Sequence, residues 1–351
     1  MPARRTITPP TDFLLKRDAC SYGYFLLAPN HWHADELALY RALDLPSGPA
    51  VVCVSQDERP GAKLDLRATR SLTASDWRAV EVALSRMLRL DESAADLAAF
   101  HALDPRFKPS GVGRLCRSPS LFEDVIKTVT SCNVTWPGTV QMNRRLCEVL
   151  GTRLAPSKRA PKGGIALDAP MFTFPSAARL ARTRASLLRA RCRVGYRDQR
   201  LIDLARLFAK APARGGLDQA RLLDPRTPDA EVERTLIALP GVGPYAAANI
   251  MQLLGRYDRL PLDSESVRHG RDVLGLTGTA AQIMKKVGAH FEPMGPQKFR
   301  SYWFELREHY ERRHGPAHGW SRAETVKLFT AKHLGKPNPA KEPSTPAPRP
   351  G

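Results

Sequence analysis

The stretch LPGVGPYAAANIM, residues 239–251, carries two glycines two positions apart between segments with a helical pattern. Residues 229–239, just before it, place apolar side chains at helical spacing. The letters PGVG then interrupt that helix, and Pro244 suits the first turn of a second one, where its missing N–H would be unpaired anyway. We therefore predict two helices joined by a tight hairpin, which consists of Leu239, Pro240, Gly241, Val242 and Gly243.

A hairpin of this composition can hold a large anion. Gly241 and Gly243 lack Cβ atoms, so their N–H groups are open to close approach. The N-terminus of the second helix adds the positive end of a helix dipole. Together these groups can bind a DNA phosphate without reading sequence, while Val242 points inward and anchors the turn. The alternative is an ordinary helical hairpin whose glycines satisfy geometry alone.

The charge of the chain bears on that choice. Its 351 residues include 54 Lys and Arg against 35 Asp and Glu, a formal charge of +19, and the sequence pI is about 10.1. Such a surface favours a polyanionic partner, of which nucleic acid is the most common. A genome that uses Arg codons freely would also give this composition. RNA binding has no matching motif in the chain.

Asp263 lies at the end of RLPLD and directly precedes a predicted helix. An aspartate there is commonly an N-cap. Beside a turn that binds phosphate, however, an acid is costly unless positive charge develops during a reaction. Cleavage of an N-glycosidic bond produces such charge on an oxocarbenium-like sugar. A fixed carboxylate stabilises that sugar and can orient or deprotonate a water molecule.

These motifs resemble those of the helix–hairpin–helix (HhH-GPD) DNA glycosylases, which include endonuclease III, adenine glycosylase, 8-oxoguanine glycosylase and 3-methyladenine glycosylase II. FPSAARLA and VGYRDQRLIDLAR resemble the segment before the hairpin in the last two branches, and SPSLFEDVIKTVTSCNVTW resembles the helix before the DNA-intercalating loop. The N-terminal β layer resembles the domain that those two branches carry, so the resemblance spans roughly residues 12–315. It implies an enzyme of base excision repair that flips a damaged base out of double-stranded DNA. The N-glycosidic bond of that base would then be hydrolysed with Asp263 as the catalytic residue and without a metal or cofactor.

The resemblance implies a monofunctional enzyme. Members that also cut the strand carry a Schiff-base lysine two residues after the second hairpin glycine, and this chain has Tyr245 there. A tyrosine cannot form that adduct. An aromatic residue at this position resembles the 3-methyladenine branch, in which Tyr245 would line the base pocket and stack on a cationic alkylated purine. The alternative is that Tyr245 packs in the core.

Other candidate residues follow from the same resemblance. Asn133 and Trp136 would belong to a loop that fills the gap left by the flipped nucleotide, although Trp136 could instead be buried. Tyr196 resembles a common structural tyrosine, and we expect it in the core. Arg268 and His269 are candidates for phosphate contacts.

The remaining observations on the sequence concern charge and metals. Arginines crowd residues 179–206, and we expect some of them to face DNA phosphates. Glu265 occupies a place where relatives often have histidine. No cysteine follows Cys192, so the chain lacks the four-cysteine iron–sulfur loop of the endonuclease III type. His31 and His33 are too few for a metal site.

We predict an α+β fold, with a small antiparallel β layer at the N-terminus followed by a mainly helical HhH-GPD body. The expected parts are a flexible arm (1–11), a β-rich domain with one helix (12–100), an all-α domain (101–335) and a disordered proline-rich tail (336–351). The chain shows no apolar run of about 18 residues and no signal-peptide pattern. We therefore expect a monomeric cytoplasmic protein associated with the bacterial nucleoid, without a membrane segment.

Three functions remain after the sequence is considered. The first is excision of an alkylated purine of the 3-methyladenine type, which the aromatic Tyr245 favours. The second is excision of an oxidised purine of the 8-oxoguanine type, which Asn133 and the β layer also suit. The third is binding of damaged DNA without catalysis, against which Asp263 argues, since a pure binder gains nothing from a carboxylate beside phosphate.

Overall fold

The computed structural model describes residues 2–328. It contains an antiparallel sheet of five strands in the order β1-β5-β4-β3-β2. The strands are β1 (Arg4–Ile7), β2 (Asn30–His33), β3 (Ala38–Leu43), β4 (Ala50–Gln56) and β5 (Leu64–Ala68). The N-terminal helices are α1 (Leu15–Asp18), α2 (Ala74–Met87) and α3 (Ala94–Leu103), with 3₁₀ turns at Gly23–Leu26 and Pro105–Phe107. The predicted α+β class is confirmed.

Both faces of this sheet are covered, which explains the unbroken apolar run of β4. Val52 and Val54 point to a core that α2 closes, whereas Val51 and Cys53 point to the opposite face, because side chains alternate along a strand. The opposite face is covered by residues 165–167, through the buried side chains of Ile165 and Leu167. The backbone N–H of Ile165 also donates to the Ala68 carbonyl at 3.1 Å.

The helical body follows. Its first helices are α4 (Leu121–Ser131), α5 (Trp136–Leu150), α6 (Ala177–Ala181), α7 (Ala185–Leu187), α8 (Asp198–Ala209) and α9 (Gln219–Leu223). The later helices are α10 (Asp229–Ile237), α11 (Pro244–Leu253), α12 (Ser264–Asp272), α13 (Ala280–Phe291), α14 (Lys298–His314) and α15 (Arg322–Leu328). Short turns lie at Leu188–Cys192 (π), Gly195–Arg197, Pro212–Arg214, Glu292–Gln297 and Ala317–Gly319. A core built from α4, α5, α8, α10 and α11 holds the body together.

The structure corrects the predicted N-terminal region in three ways. Residues 4–7, expected in a flexible arm, form the edge strand β1, because their backbone pairs with β5. Residues 13–27, expected to be β-like, contain α1 and a 3₁₀ turn, and their apolar side chains fill the space between sheet and body. The region to residue 100 holds α1, α2 and the start of α3 rather than one helix.

The predicted all-α region also contains two strands. β6 (Arg153–Leu154) pairs with β7 (Met171–Phe172) in a small antiparallel sheet. It closes the long basic loop that covers the outer face of the N-terminal sheet. The predicted disordered tail, 336–351, lies outside the described residues. Within residues 2–328, no helix is long and apolar enough to cross a membrane.

Candidate nucleic-acid interface and active site

The hairpin between α10 and α11 is anchored from within. Val242 is only 5% exposed and belongs, with Leu239, to the core of the helical body. The Val242 N–H donates to the Leu239 carbonyl at 3.1 Å and closes the turn. Gly241 has φ +78°, a left-handed conformation that glycine adopts without strain, and a Cβ atom there would lie 2.9 Å from Cδ of Arg200. The protein's own geometry therefore requires glycine at position 241.

Gly243 is different, because nothing in its own conformation requires glycine. It is the exposed N-cap of α11, with φ −99° in the extended region. A Cβ atom there would meet no atom of the described chain within 4 Å. The bare backbone of Gly243 and the first turn of α11 thus face open space, where unpaired N–H groups and the helix dipole can receive an anion.

A line of contacts joins the hairpin to the loop between α4 and α5. Arg200, beside Gly241, places its guanidinium 5.1 Å from the centre of the Tyr196 ring. Asn133 Nδ2 in turn lies 3.5 Å from the Tyr196 hydroxyl. Tyr196 is 52% exposed, so the expectation that it lies in the core is wrong. The turn Gly195–Arg197, with Gly195 at φ +61°, directs the ring outward.

The α4–α5 loop is exposed yet firmly held. Asn133 adopts a left-handed conformation, φ +50°, and Val134 is 37% exposed. The buried Arg197 donates to the carbonyl oxygens of Val129 at 3.2 Å, Asn133 at 3.3 Å and Cys132. A rigid loop that presents Asn133 and Val134 to solvent suits contact with another molecule better than a mobile one.

Trp136 lies outside this loop. It is the first residue of α5, and its indole packs against Gly23, where a Cβ atom would lie 3.2 Å from the ring. The ring contacts two of the buried clusters of the protein. Trp136 therefore supports the start of α5 from inside, while Asn133 and Val134 occupy the exposed position.

Asp263 is the N-cap of α12, as one of the two interpretations of the sequence predicts. Its Oδ1 accepts from the backbone N–H groups of Glu265 at 2.9 Å and Ser266 at 3.2 Å. The Ser266 hydroxyl reciprocates by accepting from the Asp263 N–H at 3.2 Å. This capping box fixes one carboxylate oxygen and leaves Oδ2 for another role. Burial raises the pKa of Asp263 above its usual value, although the cap and Tyr245 oppose that shift.

Tyr245, Tyr22 and Cys132 all lie within electrostatic range of the Asp263 carboxylate. The Tyr245 phenol lies beside Asp263, and burial followed by the Asp263 charge raises the pKa of that phenol. Burial also raises the pKa of the Cys132 thiol to about 11, and Asp263 adds to this shift. Tyr245 therefore remains protonated at neutral pH, and its hydroxyl is available to Asp263 as a hydrogen-bond donor. The carboxylate therefore has phenols, a neutral thiol and the Arg268 guanidinium within electrostatic range.

Arg268 and His269, the two candidates for phosphate contacts, lie on α12, the helix that Asp263 caps. His269 is fully buried, and its Nε2 lies 2.9 Å from Oε1 of Glu305, so the phosphate contact predicted for His269 is wrong. Arg268 is partly exposed and is paired with Glu265, which also accepts from the Tyr310 hydroxyl. Glu265 thus pairs with Arg268, whose charge still helps to lower the pKa of Asp263.

The predicted arginine cluster forms a basic patch on α6–α8. Six of its arginines are exposed and, within residues 2–328, have no carboxylate partner at ion-pair distance: Arg179, Arg182, Arg184, Arg191, Arg193 and Arg200. Arg189 and Arg206 are paired with Asp198 and Asp203. Arg200 lies beside Gly241 and over the Tyr196 ring, and so joins these arginines to the hairpin.

The described part of the chain contains no cluster of His, Cys, Asp and Glu side chains arranged to hold a metal ion. Three cavities of about 310, 230 and 360 Å³ lie elsewhere on the protein, and none of the three is lined by Asp263 or by the hairpin. Residues that line the first of these cavities include His31, His33 and Glu36. The functional argument therefore depends on Asp263 and its neighbours rather than on cavity size.

Solved structures share this fold. MBOgg1, in complex with a low-affinity DNA ligand, is 18% identical with a TM-score of 0.63, and the match covers 88% of this chain and 97% of that one. The 3-methyladenine DNA glycosylase from Archaeoglobus fulgidus is 15% identical with a TM-score of 0.63, over 87% and 99% of the two chains. The Clostridium acetobutylicum 8-oxoguanine glycosylase/lyase, in its apo form, is 18% identical with a TM-score of 0.61, over 87% and 97%.

At these identities the likeness shows that the chain has the fold of these DNA glycosylases. No protein-family model matches the chain, and no curated protein matches it. The named structures include both 3-methyladenine and 8-oxoguanine glycosylases, so the likeness favours neither base.

A group of residues around Tyr22 was not predicted from sequence. Tyr22, from the N-terminal region, and Trp303, from α14, lie side by side with ring centres 4.8 Å apart. Asn249 and Gln252 of α11 are buried near Tyr22. The signal for these two was present in the sequence, because they are polar residues at helical spacing from Tyr245 in an otherwise apolar helix.

Proposed function

We propose that this protein is a monofunctional DNA glycosylase of base excision repair, which hydrolyses the N-glycosidic bond of a damaged base with Asp263 as the catalytic residue. The observation that carries the proposal is the placement of Asp263. A carboxylate whose pKa is raised by burial sits at a helix N-terminus, with one oxygen fixed by the cap. The same body carries an exposed hairpin backbone and a basic patch suited to DNA.

DNA binding is assigned to the hairpin Leu239–Gly243 and to the adjoining arginines. The open backbone at Gly243 and the N-terminus of α11 receive one phosphate of the double-stranded partner. The unpaired arginines of the basic patch neutralise further phosphates along the duplex. Both contacts are made to phosphates and are independent of the base sequence. A repair enzyme that scans DNA needs such sequence-independent binding.

Base flipping needs a group that takes the place of the extruded nucleotide. Asn133 and Val134 are exposed on a rigid loop, and the exposed Tyr196 ring lies beside them. We assign these three to the gap, with Asn133 as the group able to hydrogen-bond to the base left opposite. Trp136 supports the loop from the core side.

The chemistry requires one carboxylate and one water molecule. Asp263 Oδ2, the oxygen not held by the cap, faces the sugar and stabilises the positive charge that develops as the bond from C1′ to the base nitrogen breaks. Water then forms the new bond to C1′ and passes its proton to Asp263, while the base leaves with the electron pair of the broken bond. The enzyme forms no Schiff base, since Tyr245 occupies the position of the lysine that would do so.

Among damaged bases we favour alkylated purines of the 3-methyladenine type. The Tyr245 ring lies beside Asp263, the Tyr22 ring is within range of its charge and Trp303 packs on Tyr22, and electron-rich rings attract a cationic alkylated base. The exposed Asn133, which can pair with a base opposite the lesion, favours an oxidised purine of the 8-oxoguanine type as the second candidate. We propose that the enzyme acts as a monomer in the cytoplasm.

A lesion panel tests this proposal. The protein is incubated with labelled duplexes that carry a 3-methyladenine-type, 1,N6-ethenoadenine, hypoxanthine, 8-oxoguanine or uracil site, and each sample is split between hot alkali and no treatment. We expect strand breaks on the 3-methyladenine-type duplex, and only in the half of the sample that is treated with alkali. Breaks without alkali, trapped by borohydride, would contradict monofunctional chemistry. Tight binding with no breaks on any duplex would contradict the enzyme and favour a protein that binds damaged DNA without catalysis.

A further inference from the structure

Three side chains of α11 form a polar stripe: Tyr245, Asn249 and Gln252. They are four and three residues apart, so they lie on one face of the helix. The rest of α11 is almost entirely apolar and buried. The stripe begins at Asp263, which Tyr245 contacts, and runs inward along the helix.

Tyr22 lies opposite this stripe. Its hydroxyl donates to Asn249 Oδ1 at 3.3 Å, and Asn249 Nδ2 donates to the Tyr245 carbonyl at 3.1 Å. Burial raises the pKa of Tyr22, the Gln252 amide opposes that shift, and Asp263 contributes to it. Tyr22 is therefore within electrostatic range of both Asp263 and Gln252, at opposite ends of the stripe.

Gln252 stands out because its amide is buried without a partner. The residue is 1% exposed, and within residues 2–328 neither Nε2 nor Oε1 has a partner at hydrogen-bonding geometry: the nearby Tyr22 hydroxyl interacts with the amide but donates its proton to Asn249 Oδ1. A buried amide with both ends unpaired is costly, and native proteins retain few such groups. A role in ligand binding explains why the chain keeps an amide where methionine or leucine would pack.

Flat aromatic surfaces flank the same cluster. The Tyr22 ring lies 4.8 Å from that of Trp303, which stacks on Phe299 at 6.2 Å with an interplanar angle of 7°. The indole N–H of Trp303 is satisfied by the Ser21 carbonyl at 2.7 Å. Aromatic walls beside an unpaired amide are suited to a flat heterocycle with a hydrogen-bonding edge.

We propose that Gln252 is the specificity-determining residue for the flipped base, and that its carboxamide binds the edge of an adenine-type base. This inference rests on the glycosylase function proposed above. A carboxamide presents one donor and one acceptor side by side, which matches an exocyclic amino group next to a ring nitrogen. Asn249 and Tyr22 hold each other in place next to Gln252 and position the base.

Gln252→Met tests the proposal, because methionine keeps the shape and removes the hydrogen bonds. We expect kcat/KM on the 3-methyladenine-type duplex to fall about tenfold or more. Turnover of 1,N6-ethenoadenine, whose adduct removes the amino donor, should change far less. The thermal midpoint should stay equal or rise, since an unpaired buried amide is removed.

Gln56→Met is the matched control. Gln56 is fully paired, with its amide donating to the Ala62 carbonyl at 2.7 Å and accepting from the Leu15 N–H at 2.6 Å. This variant should lower the thermal midpoint and leave the ratio of the two substrates unchanged.

Two results would overturn the assignment of Gln252. One is unchanged turnover of the 3-methyladenine-type duplex by Gln252→Met, and the other is a loss of stability together with an equal loss on both substrates. If the wild-type protein excises no base at all, the proposed glycosylase function fails instead, and the two failures are thereby distinguished.

Discussion

The Tyr245 phenol lies beside the Asp263 carboxylate and each group shifts the pKa of the other, so the residue that stands where the resemblance would place a Schiff-base lysine neighbours the proposed catalytic acid. Burial raises the pKa of Asp263, and the Tyr245 hydroxyl counteracts that shift by stabilising the carboxylate. The tyrosine thus has a second role besides lining the pocket. It keeps Asp263 ionised in a site whose burial disfavours charge.

Tyr245→Phe isolates this role, because the ring stays and the donor is lost. Without the Tyr245 hydroxyl, which lowers the pKa of Asp263, that pKa rises further, and Asp263 must be ionised to act. The acid limb of the kcat profile should therefore move to higher pH, with DNA affinity unchanged. Rates measured across the acid range decide the point, and a limb that stays in place or moves to lower pH would contradict the role assigned to the hydroxyl.

Asp263→Asn should stabilise the fold at neutral pH. A raised pKa means that the folded state binds more protons than the unfolded state, so the contribution of Asp263 to stability falls as pH rises through the usual Asp value, about 3.9, towards the raised one. Asparagine does not titrate and still caps a helix well. Denaturant unfolding at several pH values should show an advantage of Asp263→Asn that is present at pH 7 and shrinks in acid. If the stability advantage of Asp263→Asn grew as the pH fell, the raised pKa of Asp263 would be contradicted.

The two hairpin glycines should respond differently to alanine. Gly241→Ala places a side chain at φ +78° and against Arg200, so we expect a loss of about 1–2 kcal/mol in the free energy of unfolding. Gly243→Ala meets no atom of the described chain, and we expect a change within about 1 kcal/mol.

The same Gly243→Ala variant should bind DNA more weakly at all sequences alike, because the added methyl group occupies the approach of the phosphate. Affinity for several unrelated duplexes, measured beside the unfolding free energy, separates the two effects. Undiminished affinity in a folded Gly243→Ala protein would remove the hairpin from the interface.

Arg200→Ala should weaken DNA binding and lower its salt dependence. One phosphate contact contributes a slope of about 0.9 in a plot of log affinity against log salt concentration. Arg206→Ala is the matched control, since Arg206 is paired with Asp203 at 2.9 Å. Titrations at several salt concentrations should give a shallower slope for Arg200→Ala than for the control. Equal slopes would place Arg200 outside the DNA contact.

Much of the body was predictable because its signals are local. Periodic apolar residues, Pro244 at the start of α11 and the acid that caps α12 all act within a few residues, and the observed helices follow them closely. Exposure was harder to predict. Tyr196 lies outside the core because Arg193 and Gly195 adopt left-handed conformations that turn the chain, and no sequence period reports that turn.

The wrong predictions for the N-terminal region also arose because tertiary packing, which no local sequence pattern reports, decides the structure there. The apolar residues from Phe13 to Leu27 pattern like a strand, but they serve two different buried clusters, so short helical turns satisfy them better. Strand β1 was missed because its exposed, polar residues carry no apolar alternation, and its order comes from pairing with β5. The unpaired amide of Gln252 is likewise a tertiary property that sequence does not report.

The most direct test of the central claim is single-turnover base excision by wild-type protein and Asp263→Asn on whichever duplex the lesion panel identifies, with the dissociation constant of each measured on the same DNA. We predict that Asp263→Asn abolishes turnover and leaves DNA affinity largely intact. Unchanged turnover in Asp263→Asn would contradict the mechanism, because the bond would then break without the carboxylate that the fold holds beside it.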